Sequence, residues 1–166
     1  MSFHKADENV LFIDIGTNGE IVFFRSWKTC FPVPVPQARH LEGMNISSGM
    51  RAAEGAIEDV EIKEDGVKLK IIGNADPIGV CGSGILAVVK ELVRTGLVRK
   101  DGAFIKLKNL EETDYRYPMI EMDGIKRQFK MTEDLKITQG DVRQVQLAKG
   151  AILSGFYALL KKAGKR

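Results

Sequence analysis

Apolar residues fall in short bursts along this chain, and their spacing shifts from two towards three and four as the chain proceeds. Val10–Ile15 is a β-rich run, residues 21–24 form a second, and Gly16-Thr17-Asn18-Gly19 lies between them. Two such runs around an Asn-Gly dipeptide predict a hairpin, because the turn needs positive φ. Asp14 interrupts the first run as an acid in a buried-looking strand. Residues 27–40 behave differently: Pro32, Pro34 and Pro36 alternate with Val33 and Val35. That pattern forbids a helix and removes a ladder donor at each proline, so an extended linker or edge segment is expected. Residues 41–57, rich in Gly, Ser, Met and Ala, predict a loop leading into at most a short helix.

Further along, 60–72 alternates apolar and polar residues around Glu64-Asp65-Gly66, a second predicted hairpin. Ile85, Leu86, Val88, Val89, Leu92 and Val93 then mark one face of a helix that Gly96 is placed to end. Residues 104–107 and 128–131 are short strand candidates. Thr138-Gln139-Gly140-Asp141 resembles a capping box with Asp in place of the usual Glu. After it Val142, Val145, Ala148, Ile152, Phe156 and Leu159 make a helical stripe running to Lys162. The expected fold class is α/β: β-hairpins and a mixed sheet with two main helices, in a single domain.

Composition narrows the function classes. A chain of 166 residues has room for one core. Its 44% hydrophobic and 28% charged content argues against global disorder. The net charge of +3 owes part of its excess to Lys161, Lys162, Lys165 and Arg166, which read as a solvated helix end, so no nucleic-acid partner is expected. Cys30 and Cys81 form no CxxC pair, which argues against a metal or iron–sulfur site built from this chain. No signal peptide and no membrane-spanning run is apparent, and a cytoplasmic location is expected.

Two stretches offer chemistry. In Asp14-Ile15-Gly16-Thr17-Asn18-Gly19-Glu20 an aspartate at a strand end beside a glycine turn can hold hydrated Mg²⁺. The small residues there admit phosphate oxygens to backbone N–H groups, and Thr17 adds a hydroxyl. The plainer reading is a hairpin whose Asp14 hydrogen-bonds its own turn. In Gly79-Val80-Cys81-Gly82-Ser83-Gly84, glycines precede a helix N-terminus and can cradle an anion. Equally, they can form a tight turn that packs the helix closely on a sheet. Neither a P-loop nor a dinucleotide fingerprint is present, and Cys81 has no histidine near it in sequence to activate it as a nucleophile. Within 41–57, Glu42 and Arg51 are further site candidates, for which a surface ion pair is the simpler role.

Taken together, LFIDIGTNGE, LEGMNISSGMRAAEGAIE, GVCGSG with its helix, and ITQGDVRQVQLAKGAI resemble, in content and order, the reductive activators of corrinoid proteins. The resemblance spans most of residues 10–160. It implies an ATPase domain of the acetate and sugar kinase, heat-shock cognate and actin superfamily, here as a partial lobe. It also implies that Asp14, Gly16, Thr17 and Asn18 form a phosphate-binding turn, with Asp14 positioning Mg²⁺ or the attacking water and Glu20 close by. Gly82, Ser83 and Gly84 would line the nucleotide cleft or its support. ATP and Mg²⁺ are the implied cofactors, and a corrinoid protein, reduced from Co(II) to Co(I), is the implied partner. The electrons would come from an iron–sulfur cluster in a separate domain.

The sequence departs from that pattern in several places. The family's earlier phosphate hairpin, its adenosine-binding glycine segment and its cluster domain have no counterpart among these residues, so the chain is expected to be inactive alone. An alternative is a non-catalytic module that self-associates as a homo-oligomer. Before LEGMNI the family runs roughly Ser-Ala-Gly-Pro-Ala, where this chain has Val35-Pro36-Gln37-Ala38-Arg39-His40. Residues 23–40 therefore read as an atypical, frameshifted segment.

Overall fold

The computed structural model describes residues 10–15, 19–24, 30–35 and 46–162, and within the first three strands it describes the side chains of residues 10–13 and 21–23. It divides into two compact units, Met1–Arg39 with Leu147–Arg166, and His40–Gln146.

The first unit carries a three-stranded antiparallel sheet, β1 (Val10–Ile15), β2 (Gly19–Phe24) and β3 (Cys30–Val35), in the order β1-β2-β3. The β1–β2 register pairs Phe12 with Val22, Ile13 with Ile21 and Asp14 with Glu20. β3 is an edge strand despite its prolines, which an edge tolerates because a missing N–H can face outward. The alternation of β2 sends Ile21 and Phe23 to one face. There they form a small core with Leu159, and Ala151, Ile152 and Phe156 pack against it. Leu11, Phe12 and Ile13 on β1 each remain about two-fifths exposed (41%, 37% and 39%).

The second unit holds two further three-stranded sheets. β4 (Ala56–Lys63) pairs antiparallel with β5 (Gly66–Ile71) and parallel with the two-residue β6 (Gly79–Val80). β4 begins earlier than the hydrophobic alternation predicts. The reason is a register shift between Ile57 and Asp59, where Glu58 is the extra residue. That bulge resets the period, so Ile57, Val60 and Ile62 all face the core. β7 (Ile120–Asp123), β8 (Lys126–Lys130) and β9 (Lys136–Thr138) form the other sheet, where the buried Ile120, Phe129 and Ile137 are successive cross-strand partners. Residues 104–107 do not form the expected strand. Phe104 makes only an isolated bridge with Val98, and its N–H is taken by the Gln139 side chain at 3.1 Å.

Two long helices complete the architecture. Helix α1 (Gly82–Arg94) buries Ile85, Val88 and Leu92 in the main core, and helix α2 (Gln139–Lys162) follows directly from β9. α1 ends where Gly96, at φ 75°, turns the chain. α2 begins with the expected capping box: Asp141 accepts the Thr138 N–H at 2.7 Å, and the Thr138 hydroxyl accepts the Asp141 N–H at 3.2 Å.

β6 is too short to cover β4, and side chains take over where it stops. The buried Glu91 accepts the Ile62 N–H at 2.9 Å, while Arg94 donates to the Ile62 carbonyl at 2.6 Å. The same guanidinium grips Glu91 at 2.7 and 2.9 Å. Glu91 and Arg94 thus stand in for a strand. The Arg94 hydrogen bonds, aided by the Ile62 N–H and opposed by burial, bring the Glu91 pKa from 4.5 to about 2. Because the folded-state value lies below the unfolded one, this stabilisation is complete above about pH 4.5. It is lost as pH falls towards 2. Glu91→Ala is expected to cost roughly 3 kcal/mol in urea unfolding at pH 7. Glu91→Gln should flatten the loss of stability between pH 4.5 and 2 relative to the parent.

Candidate functional site

The sequence points to two places, the β1–β2 connection and the entrance of α1. Asp14 and Glu20 occupy opposed register positions beside the connection, one pair in from Ile15 and Gly19. Gly16, Thr17 and Asn18 lie outside the described residues, as do the side chains of Asp14 and Glu20. What the backbone fixes is that Asp14 and Glu20 occupy opposed positions on adjacent strands, at the end where residues 16–18 connect them. Like charges at opposed strand positions repel unless something screens them.

The entrance of α1 is described in full. Val80 pairs with Ile57 on one side and bridges to Gly49 on the other, and it exchanges hydrogen bonds with Ser48 and Met50 (Val80 N–H to Ser48 at 2.8 Å, Met50 N–H to Val80 at 2.9 Å). Cys81 is the N-cap residue, and no side chain caps this helix. Its N–H donates to the Ile57 carbonyl at 3.1 Å, and its buried thiol to the same oxygen at 3.3 Å. Ser83 is exposed, with Oγ 3.2 Å from Cys81 Sγ. Gly84 is buried, and a Cβ built on it would overlap the Ile57 carbonyl. Gly82 differs, since a Cβ there would meet nothing within 4 Å.

These contacts bring three of the sequence stretches together. Ser47–Met50 belongs to the LEGMNISSGM stretch, Val80–Gly84 to GVCGSG, and Thr138–Asp141 to ITQGD. Ser48 and Met50 pair with Val80, and Asp141 accepts the Ser47 N–H at 2.8 Å. Sequence reasoning identified Asp141 as a cap but missed its hold on Ser47, because nothing local links residues 94 positions apart. Glu42 lies outside the described residues, and Arg51 is exposed. Among the described residues no group of three or more His, Cys, Asp or Glu side chains is placed to hold a metal ion. No described helix is long and apolar enough to cross a membrane. An open groove of about 780 Å³ runs beside the outer edge of β4, between Asp59, Glu61 and Lys63 and the side chains of Lys90, Arg94 and Tyr115; none of the predicted site residues lines it.

Comparison with known proteins decides the lineage. Residues 8–166 match the family described as the C-terminal domain of RACo, the ASKHA domain. The chain belongs to this family. The corrinoid activation enzyme RamQ of Eubacterium limosum is 38% identical over 171 residues, covering 93% of this chain and 27% of that protein. A solved structure described as a reductive activator for corrinoid, iron-sulfur protein superposes with a TM-score of 0.83 at 30% identity, covering 99% of this chain and 27% of the other. The chain therefore spans about a quarter of the length of these relatives. The mixed α/β architecture expected from sequence, an actin-like ATPase-type portion, is the one observed.

Membership in the RACo C-terminal family makes the packing at α1 a testable property of the domain. Gly84→Ala should cost roughly 3 kcal/mol or more, because backbone and not a movable side chain blocks the new methyl. Gly82→Ala should change stability little. Urea midpoints of the two variants check both, and a Gly84→Ala protein as stable as the parent would contradict the close approach.

Proposed function

We propose that these residues are the part of a corrinoid reductive activator that holds nucleotide phosphates, with the turn between β1 and β2 as the binding element. The observation that carries this reading is the antiparallel pairing that sets Asp14 opposite Glu20 at the glycine-turn end, within an ASKHA domain. Two acids at opposed register positions would suit a hydrated Mg²⁺, which takes few protein oxygens and keeps several waters. Asp14 would orient the metal or the attacking water, and Glu20 would support it. Gly16, Thr17 and Asn18 would bring N–H groups and a hydroxyl to the phosphates. Gly82, Ser83 and Gly84 would line the nucleotide cleft or its support. Bound ATP–Mg²⁺ would supply the free energy that makes reduction of a Co(II) corrinoid partner feasible. The electrons would come from an iron–sulfur cluster carried elsewhere in the activator.

For the 166 residues alone we expect weak Mg-ATP binding and no corrinoid reduction, since an actin-like ATPase clamps nucleotide between two lobes. The test is calorimetric titration of Mg-ATP. A dissociation constant weaker than about 100 μM, or roughly −5 kcal/mol, is expected, and Asp14→Asn should abolish the signal. Sub-micromolar binding, or equal binding by Asp14→Asn, would overturn this view of the site. A frame shift across 23–40 belongs to the same proposal, and it fails if the gene's alternative frame there does not encode Gly-Pro-Ala.

A second reading has its own observation. Leu11 and Ile13 are partly exposed on β1, which stands at the end of the strand order β1-β2-β3. Such an edge invites association with another chain. A self-associating, non-catalytic module would show a concentration-dependent mass by light scattering, whereas a clean monomer at high concentration rules it out.

A further inference from the structure

Three side chains cover the edge of β4 that faces away from β5. β6 pairs there only with Ala56 and Ile57, and beyond it no described strand continues the ladder. The backbone groups of alternate residues point to the same side of a strand, and on this side they belong to Val60 and Ile62. The Asp59 carboxylate accepts the Val60 N–H at 2.9 Å. Glu91 accepts the Ile62 N–H at 2.9 Å, and Arg94 donates to the Ile62 carbonyl at 2.6 Å. An open edge is a template for another chain, and natural sheets blunt it with charged groups.

What this edge fits is written in its own alternation. Val60 and Ile62 are buried, whereas Asp59, Glu61 and Lys63 are exposed. When a second copy of residues 59–63 lies antiparallel with Glu61 opposite Glu61, Val60 falls opposite Ile62 in both directions. Each such pair exchanges two backbone hydrogen bonds, so every outward group of both residues is satisfied. Asp59 then stands opposite Lys63 twice, against one pair of like charges at Glu61. The neighbouring registers are poorer. Centred on Val60 or on Ile62, they leave the other residue opposite the bulge at Glu58 or the turn at Glu64. The groove of about 780 Å³ between this edge and Lys90, Arg94 and Tyr115 keeps the approach open.

We propose that Asp59, Glu91 and Arg94 form a lock on a self-pairing edge, whose release lets a second copy of the chain add its β4 antiparallel about Glu61, as a two-fold dimer. The lock prevails in the single chain because its partners are already tethered, whereas a second copy must give up its free motion to bind. Lys63 is held by Glu61 at 3.0 Å, but both side chains are about half exposed, so that pair rearranges at little cost. The pairing involves one unit only and stands apart from the nucleotide reading above.

Glu91→Leu with Arg94→Met opens the lock without stranding a buried charge, since apolar replacement of a buried ion pair is commonly neutral for stability. By light scattering, the mass of this unlocked protein should rise with concentration to about twice that of the parent. Adding Lys63→Glu, which sets an acid opposite Asp59, should return it to the parent's mass. Adding Asp59→Lys as well should restore the doubled mass. Glu61→Gln in the unlocked protein should tighten association severalfold, because it removes the facing acids. An unlocked protein that is folded by circular dichroism and keeps the parent's mass would overturn the proposal. So would association that ignores the charge exchanges, which marks apolar aggregation through the new side chains. The same comparisons with Arg94→Met alone, where Lys90 stays 3.8 Å from Glu91, decide the matter if the double replacement does not fold.

Discussion

The carbonyl of Ile57 is the point on which the second unit is organised. It accepts the Cys81 N–H and faces the Cys81 thiol, and it occupies the space that a side chain at position 84 would need. Ile57 lies on the central strand of its sheet, so this contact brings the start of α1 against the sheet at backbone distance. Everything that α1 buries follows from that approach. Ile85, Val88 and Leu92 reach Ile57, Val60 and Ile62 only because no Cβ holds the helix away. Dense interiors give such a contact little room to relax.

Once α1 is seated, two buried acids replace backbone partners that the chain does not supply. Glu91, with Arg94, completes the hydrogen bonding of Ile62 beyond the end of β6. Asp141 completes the first turn of α2 and also the amide of Ser47. Each is satisfied by several donors, which is the condition under which a buried carboxylate is tolerated. The same solution appears at the end of α1, where Arg116 donates to the Thr95 carbonyl at 2.6 Å while paired with Asp114. The short strands of this unit are thus held in place by charged side chains as well as by ladders.

Features written in neighbouring residues were legible in the sequence. The hairpins around Asn18-Gly19 and Asp65-Gly66, the stripe of α1, its end near Gly96 and the Thr138–Asp141 box all depend on local spacing, and the structure contains them. What depends on distant partners was not legible. The close approach of Gly84 to the sheet was not legible in GVCGSG, because the atom it meets belongs to Ile57. Residues 104–107 have a strand's composition, but the Gln139 side chain takes the place of a ladder partner. β4 was placed too late because the bulge at Glu58 breaks the period-two signal. The burial of Glu91 did have a signal, an acid three positions from Val88 and beside Leu92, but polar faces of helices commonly look the same. Family membership came from several motifs in one order, which no single spacing rule supplies.

The proposed role of the domain requires that nucleotide phosphates sit at the end of the β1–β2 hairpin. The most direct measurement is backbone amide exchange across residues 14–20 in the full activator, with and without Mg-ATP. Slowed exchange there on adding nucleotide, lost when Asp14 is replaced by asparagine, is the predicted result. Exchange at those residues that ignores Mg-ATP, while nucleotide demonstrably binds the protein, would contradict it.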